Sequence, residues 1–190
     1  MQQKLSQHDA LLVVDVQNDF CPGGALAVPE GDQVVPVLND WIRAARESGV
    51  PVVASRDWHP AGHCSFAEQG GPWPVHCVQD TEGAAFHPEL ELPDDALVIS
   101  KGRSPERDNY SAFDDTGLAD MLRERGVERV WVGGLAQDVC VRATVLDACD
   151  AGFETHLIAD ATRPVDVEPG DGERALEAMR AAGARIEAAA

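Results

Sequence analysis

The chain has little that would suit a membrane, a nucleic acid or an anionic surface. It carries 15 Lys and Arg against 33 Asp and Glu in 190 residues, which gives a formal net charge of −18. A surface of that sign repels phosphate backbones and anionic lipids, so neither nucleic acid nor membrane is an expected partner. No apolar run approaches the roughly 18 or more residues of a transmembrane helix. Low lysine with abundant acidic residues is also typical of a GC-rich or salt-adapted source.

Signals for cysteine pairing and for secretion are also missing. The five cysteines are an odd number, and no two of them have the C-x-x-C spacing of a redox or zinc motif. A disulfide framework is therefore not expected. Residues 1–9 are polar and lack the apolar middle and cleavage site of a signal peptide, so we expect a cytoplasmic protein.

The hydrophobic pattern predicts one α/β domain over residues 1–190. Six short runs are predicted strands: Leu11–Val16, Pro51–Arg56, Ala96–Lys101, Arg129–Gly133, Thr155–Ala159 and Ala184–Glu187. Most are apolar almost throughout, which is typical of parallel strands buried on both faces. Predicted helices, each beginning with Asp and followed by Gly, cover Asp32–Ser48, Asp114–Arg125, Asp138–Ala151 and Asp171–Ala182. This alternation predicts a parallel sheet with helices on both faces.

Four reactive residues lie at or just after the carboxyl ends of the first four predicted strands: Asp15, Asp57, Lys101 and Cys140. Ligands of open α/β sheets bind outside the carboxyl ends of the strands, so these side chains are expected to converge. A cysteine at a helix start beside a lysine is expected to have a lowered pKa and to act as a nucleophile. Asp15 would be its general base, and the amides of residues 134–140 would form an oxyanion hole. Taken alone, a free cysteine is more often an inert core residue.

A metal site is predicted beside this nucleophile. Asp57 and His59 are two residues apart in an extended segment, so their side chains point the same way. His76 lies in the irregular segment of residues 58–93, and a loop of that length is usually functional. Two imidazoles and a carboxylate suit zinc, iron or manganese, although a single histidine would more often be structural. The fourth ligand stays open between His63, Glu68 and water.

Five blocks of the sequence, in order, resemble nicotinamidases of the isochorismatase-like cysteine hydrolase superfamily. They are DVQNDFCPGGALAV, SRDWHPAGHCSF, GGPWPVHCVQDTEGAAFHPEL, KGRSPERDNYSAFDD and GLAQDVCVRATVLDA. The resemblance implies a three-layer α/β/α fold with a six-stranded parallel sheet. It also implies hydrolysis of nicotinamide to nicotinate and ammonia through a cysteine thioester in NAD salvage, with pyrazinamide as a second substrate.

The resemblance implies roles for single residues as well. The family's catalytic triad matches Asp15, Lys101 and Cys140, and its metal ligands match Asp57, His59 and His76. Zinc is the preferred metal, with iron and manganese as alternatives. A cis peptide is implied between Leu135 and Ala136, with the Ala136 and Cys140 amides in the oxyanion hole. The aromatic residues around the pyridine ring match Phe20 and Trp73, with Tyr110 nearby.

Three other functions remain as alternatives. An amidase of the same superfamily acting on a carbamoyl or ureido compound would generally lack the metal ligands, so a stoichiometric bound metal discriminates against it. A vinyl-ether hydrolase of the isochorismatase type would not need Cys140. A non-catalytic metal-binding protein on this scaffold would have a cysteine of ordinary reactivity. The family often forms dimers or larger assemblies, so a homodimer or larger homo-oligomer is an open expectation.

Overall fold

A computed structural model describes residues 5–188 and contains one sheet of six strands. The strands are β1 (Asp9–Val14), β2 (Val52–Asp57), β3 (Leu97–Lys101), β4 (Arg129–Leu135), β5 (Glu154–Arg163) and β6 (Arg185–Glu187). Their order across the sheet is β3-β2-β1-β4-β5-β6, and every neighbouring pair is parallel. The predicted six-stranded parallel sheet is confirmed.

Four helices cover the two faces of this sheet: α1 (Val34–Glu47), α2 (Leu118–Glu124), α3 (Arg142–Asp150) and α4 (Asp171–Ala181). The alternation of side chains along β1 divides the core. Leu11 and Val13 pack with α1 on one face, whereas Leu12 and Val14 pack with the other three helices on the opposite face. The result is the expected three-layer α/β/α arrangement.

Several predicted boundaries were wrong. The first strand ends at Val14 rather than Val16, because Asp15 adopts a φ of 50° and leaves the sheet. The helix predicted to begin at Asp114 begins at Leu118, after a run of turns. The helix predicted to begin at Asp138 is preceded by a π-helical turn, Gln137–Val141, so Cys140 lies in that turn and α3 follows it. Only α4 begins with the predicted Asp, although a glycine closes each helix as expected.

The chain between β2 and β3 is long and irregular, as predicted. It contains two short 3₁₀ turns, Ala67–Gln69 and Glu82–Ala84, and isolated bridges such as His59 to Val78. This segment folds over the carboxyl end of β2 and thereby brings His59, His63 and His76 together there. Within residues 5–188, no helix is both long and apolar enough to cross a bilayer.

Asp9 forms a buried ionic contact at the opposite, amino end of the sheet. Its carboxylate accepts hydrogen bonds from Arg129 Nε at 2.8 Å and from the Ser6 amide at 2.8 Å. Burial would raise the pKa of Asp9, but the bonds from Arg129 and Ser6 outweigh burial and hold the pKa below its ordinary value of 3.8. The ionised form of Asp9 therefore stabilises the fold.

Replacing Asp9 with asparagine is expected to lower the free energy of unfolding by about 1.5–3 kcal/mol at neutral pH, because a charged hydrogen bond is lost. Because folding lowers the pKa of Asp9, its contribution to stability is complete at pH values above its ordinary pKa of 3.8. The contribution disappears as the pH falls through the lower pKa of the folded state. Urea denaturation of both proteins at decreasing pH measures this. A difference between them that persists at acid pH would contradict the assignment to charge.

Candidate active site

The carboxyl ends of four neighbouring strands bring the four predicted reactive residues together. Asp57 and Lys101 are the last residues of β2 and β3, and Asp15 directly follows β1. Cys140 lies in the π-helical turn after β4. Since β3, β2, β1 and β4 are consecutive in the sheet, these side chains meet at one edge. All four residues are buried.

The Lys101 ammonium is the centre of this group. Its Nζ lies 2.7 Å from Asp15 Oδ2 and 2.5 Å from Asp57 Oδ1. The same nitrogen lies 3.4 Å from Cys140 Sγ. Ser55 Oγ donates a further hydrogen bond to Asp15 Oδ1 at 2.8 Å. One buried cation therefore holds two carboxylates and a thiol within reach of one another.

Electrostatics keep Lys101 and Asp57 ionised. Burial would lower the pKa of Lys101, but the two carboxylates outweigh burial and raise it well above its ordinary value. Burial would raise the pKa of Asp57, but the Lys101 ammonium, together with the nearby imidazoles of His59 and His76, holds it well below its usual range. The pair is thus a stable buried ion pair rather than a site of proton exchange.

The Asp15 carboxyl and the Cys140 thiol both have raised pKa values. Burial raises the pKa of the Asp15 carboxyl, even though Lys101 opposes it. Burial also raises the pKa of the Cys140 thiol well above its ordinary value, and the Asp15 and Asp57 carboxylates raise it further. The Lys101 ammonium lowers this pKa but does not offset the other effects. The lowered thiol pKa predicted from the helix start is therefore wrong. The thiol keeps its proton until a base removes it, and a carboxylate oxygen of Asp15 lies within 4.8 Å of its sulfur.

Asp57 also joins this group to a cluster of histidines. Its second oxygen, Oδ2, lies 3.4 Å from His59 Nε2 and 3.7 Å from His76 Nε2. Main-chain carbonyls hold the other ring nitrogens, since His59 Nδ1 lies 2.9 Å from Gly102 O and His76 Nδ1 lies 2.7 Å from Pro74 O. A carbonyl can only accept, so each Nδ1 carries the hydrogen and each Nε2 presents a lone pair.

These three residues fit a divalent metal ion. His59 Nε2 is buried and has no hydrogen-bond partner among the described residues, as expected for a nitrogen that serves as a ligand. Two ligand atoms on one tetrahedral zinc ion are about 3.3 Å apart, given metal–ligand bonds of about 2.0–2.1 Å. The separations from Asp57 Oδ2 are close to that value. Carbonyl partners on Nδ1 are also the usual way of orienting metal-binding histidines.

Neither residue suggested as the fourth ligand joins this cluster. His63 Nε2 lies 3.1 Å from Arg107 O and its Nδ1 lies 2.7 Å from Ser65 Oγ, so both nitrogens have other partners. The His63 ring instead stacks on His59, with centroids 4.0 Å apart. Glu68 lies exposed in the turn at residues 67–69.

An apolar pocket opens above the thiol and the histidines. It contains about 380 Å³ of space not filled by protein atoms, and its lining residues are Phe20, Leu26, Val28, Asp57, Trp73, His76, Tyr110, Ala136, Val139, Cys140 and Val165. The predicted aromatic residues are all among them, and Trp73 Nε1 donates to the Tyr110 hydroxyl at 3.1 Å. A flat ring with few polar atoms fits such a lining.

Four apolar lining residues were missed from the sequence: Leu26, Val28, Val139 and Val165. Leu26 and Val28 lie within the quoted block after Phe20, and Val139 adjoins Cys140, so their positions offered a signal. Val165 follows β5 in a segment with no motif. It reaches the pocket because Asp138 accepts hydrogen bonds from the amides of Val165 and Asp166.

The backbone beside Cys140 is unusual. The peptide between Leu135 and Ala136 is cis, as the resemblance implied. Ala136 lines the pocket next to Cys140, and its carbonyl accepts hydrogen bonds from the amides of Val139 and Val141 at 3.1 Å each. A larger open groove, of about 1450 Å³ by the same measure, lies at the amino end of the sheet and contains none of these reactive groups.

Comparison with known proteins agrees with this architecture. Residues 9–190 match the family model of the isochorismatase domain. The chain is 46% identical to a nicotinamidase of Escherichia coli, over 93% of each chain. It is 52% identical to the crystal structure of a pyrazinamidase of Pyrococcus horikoshii in complex with zinc, with a TM-score of 0.91 and coverage of 96% of this chain and 99% of that one.

A further crystal structure, PnC1 from L. infantum in complex with nicotinate, superposes with a TM-score of 0.89 at 37% identity and covers 99% of this chain and 96% of that one. The family match extends over almost the whole chain, and the superposition on the zinc-containing structure covers 96% of this chain. The chain therefore belongs to the isochorismatase family.

Proposed function

We propose that the chain is a metal-dependent nicotinamidase that hydrolyses nicotinamide to nicotinate and ammonia through a thioester on Cys140. The observation that carries this proposal is the double contact of Asp57. One of its oxygens contacts Lys101, and the other faces His59 and His76. A nucleophile and a metal site thus share one wall of an apolar pocket. The similarity to a nicotinamidase and to a zinc-containing pyrazinamidase supports the choice of substrate.

Asp57, His59 and His76 would hold the metal, for which zinc is the preferred ion and iron or manganese are alternatives. When bound, it would supply Lewis acidity and an open coordination position that suits the nitrogen of a pyridine ring. Phe20 and Trp73 would enclose the ring, and Tyr110 would hold Trp73 through its hydroxyl. Pyrazinamide has a similar ring with a nitrogen in the same position, so it is the expected second substrate.

Acylation begins at the thiol. Asp15 accepts the proton of Cys140, and the thiolate attacks the amide carbon of the substrate. The amides of Ala136 and Cys140 stabilise the negative charge on the carbonyl oxygen. Asp15 then returns the proton to the departing nitrogen, which leaves as ammonia. Lys101 stays protonated throughout and stabilises the thiolate from 3.4 Å.

Deacylation repeats these proton transfers through Asp15, with water as the nucleophile and Cys140 as the leaving group. Asp15 removes a proton from a water molecule, which attacks the thioester carbon. The tetrahedral intermediate collapses with loss of the thiolate, and Cys140 regains its proton from Asp15. The product leaves as nicotinic acid and loses its carboxyl proton to water, which gives nicotinate. Nicotinate formation would place the enzyme in NAD salvage. All five cysteines are unpaired in the described structure, which is typical of a reducing compartment and supports the cytoplasm as its location.

Ammonia release from nicotinamide is the test of this proposal. We expect release by purified protein, loss after chelation and recovery when zinc is added back, because the ring nitrogen needs a partner in the pocket. Circular dichroism before and after chelation controls for unfolding. A folded, zinc-loaded protein that releases no ammonia would contradict the proposal and would favour the carbamoyl and ureido substrates.

Benzamide is a matched control substrate because it lacks only the ring nitrogen. With benzamide, the group that binds the ring nitrogen of nicotinamide has no partner. We therefore expect kcat/KM for benzamide to be lower than for nicotinamide by at least about 10²-fold. Equal rates for the two amides would contradict the role of the metal in orienting the ring.

A further inference from the structure

Gln17 is a completely buried residue beside Asp57 that the mechanism above does not use. The last main-chain hydrogen bond between β1 and β2 runs from the Asp15 amide to Ser55 O at 3.0 Å. Beyond it the chain turns away from the sheet at Asp15, whose φ is 50°. The N–H and C=O of Asp57 face the same neighbour as those of Ser55, because successive residues of a parallel strand alternate their partners. Asp57 is therefore left without a main-chain partner on that side.

The side chain of Gln17 takes the place of the missing strand. Its Oε1 accepts the Asp57 amide at 2.9 Å, and its Nε2 donates to Asp57 O at 2.8 Å. The second hydrogen on Nε2 goes to Ala84 O at 2.9 Å, in the long segment after β2. The carboxamide thus uses both of its donors and pairs with Asp57 as a peptide group would.

We propose that Gln17 is a positioning residue that sets the place of the Asp57 carboxylate for metal binding. This inference rests on the proposed function, since it concerns the same metal site. Asp57 has to contact Lys101 with one oxygen and face two imidazoles with the other, which leaves little freedom in its backbone. On the β3 side, the Trp58 amide is bound to Lys101 O at 2.9 Å. On the β1 side, Gln17 provides the corresponding restraint.

Two variants test this role through zinc affinity rather than turnover. Gln17→Glu keeps the shape but places a carboxylate, which cannot donate, against two carbonyl oxygens. Gln17→Met keeps a similar length and makes no hydrogen bond. Since a partner that orients a ligand is typically worth 10–100-fold in metal affinity, we expect the zinc Kd of both variants to rise by about that factor. Competition with a chromophoric chelator measures Kd, at a temperature where circular dichroism shows each variant folded.

Asn39→Asp is the matched control. Asn39, on α1, is also a buried amide that pairs with main-chain groups, donating to Glu89 O at 2.8 Å and accepting the Glu91 amide at 2.9 Å. Its replacement removes the same kind of contact away from the metal site. We expect a lower melting temperature with an unchanged zinc Kd.

The outcomes separate the two proposals. Unchanged zinc affinity in both Gln17 variants, or an equal loss in Asn39→Asp, would overturn the positioning role. Ammonia release by the parent protein is measured separately. A parent that binds zinc but does not hydrolyse nicotinamide would refute the proposed function, whereas weaker zinc binding confined to the Gln17 variants would still support the role of Gln17.

Discussion

Replacing Cys140 with alanine is expected to reduce turnover of nicotinamide by at least about 10⁴-fold, in line with the loss of nucleophiles in other hydrolases. No other thiol can substitute for it, because the pocket lining contains a single cysteine. The variant should still bind zinc with the affinity of the parent protein, since Cys140 is not one of the three proposed ligands, Asp57, His59 and His76. Steady-state kinetics and zinc titration measure the two properties independently.

Cys149→Ala is the control for this experiment. Cys149 is a partly buried residue of α3 outside the pocket, so its loss should leave kcat/KM within a factor of about two, as for a change remote from the chemistry. Retention of activity in Cys140→Ala would refute the nucleophile assignment. Loss of zinc binding in that variant would show that the thiol belongs to the metal site instead.

Replacing Lys101 with methionine is expected to lower the free energy of unfolding by about 3–5 kcal/mol, because it leaves two buried carboxylates without their cation. Both Asp15 and Asp57 contact this ammonium, and its side chain is completely buried. Zinc would neutralise part of the charge on Asp57, so the loss should be larger in chelator than in zinc. Chemical denaturation under both conditions measures it. Activity should also disappear, since Asp15 would no longer be held beside the thiol.

Arg43→Met provides the matched comparison. Arg43 also contacts two carboxylates, Asp40 and Glu91, but all three side chains are exposed. Exposed ion pairs contribute roughly 0–1 kcal/mol, so this variant should be almost as stable as the parent. The double variant Lys101→Met with Asp15→Asn should recover part of the lost stability without recovering activity. Equal stability losses for Lys101→Met and Arg43→Met would contradict the importance of burial.

The fold was predictable because its signals are local. Each buried strand is a short apolar run, and the glycine after each helix marks where that helix ends. The errors occurred where tertiary contacts decide the conformation. Asp15 leaves the sheet one residue after β1, and the turn containing Cys140 is π-helical rather than the first turn of an α-helix. Neither feature has a pattern that distinguishes it from a continuing strand or helix.

The convergence of the reactive residues was predictable for a different reason. Parallel strands all present their carboxyl ends at one edge, so residues at the carboxyl ends of four strands had to meet there. The direction of the Cys140 pKa was not predictable, since it depends on burial and on carboxylates from β1 and β2 that are distant in the sequence. The role of Gln17 was hidden as well, because a side chain that replaces a strand has no sequence signature.

The central position of β1 also affects how the protein is made. β1 is the first strand of this sheet to be synthesised, yet one of its two neighbours is β4, and Asp9 is paired with Arg129 across 120 positions of sequence. At about 5–20 residues per second, the ribosome needs roughly 6–24 s to add that partner. During that interval an apolar strand has an open edge. Nascent chains that stop before β4 would therefore be the species most prone to aggregation and most dependent on chaperones.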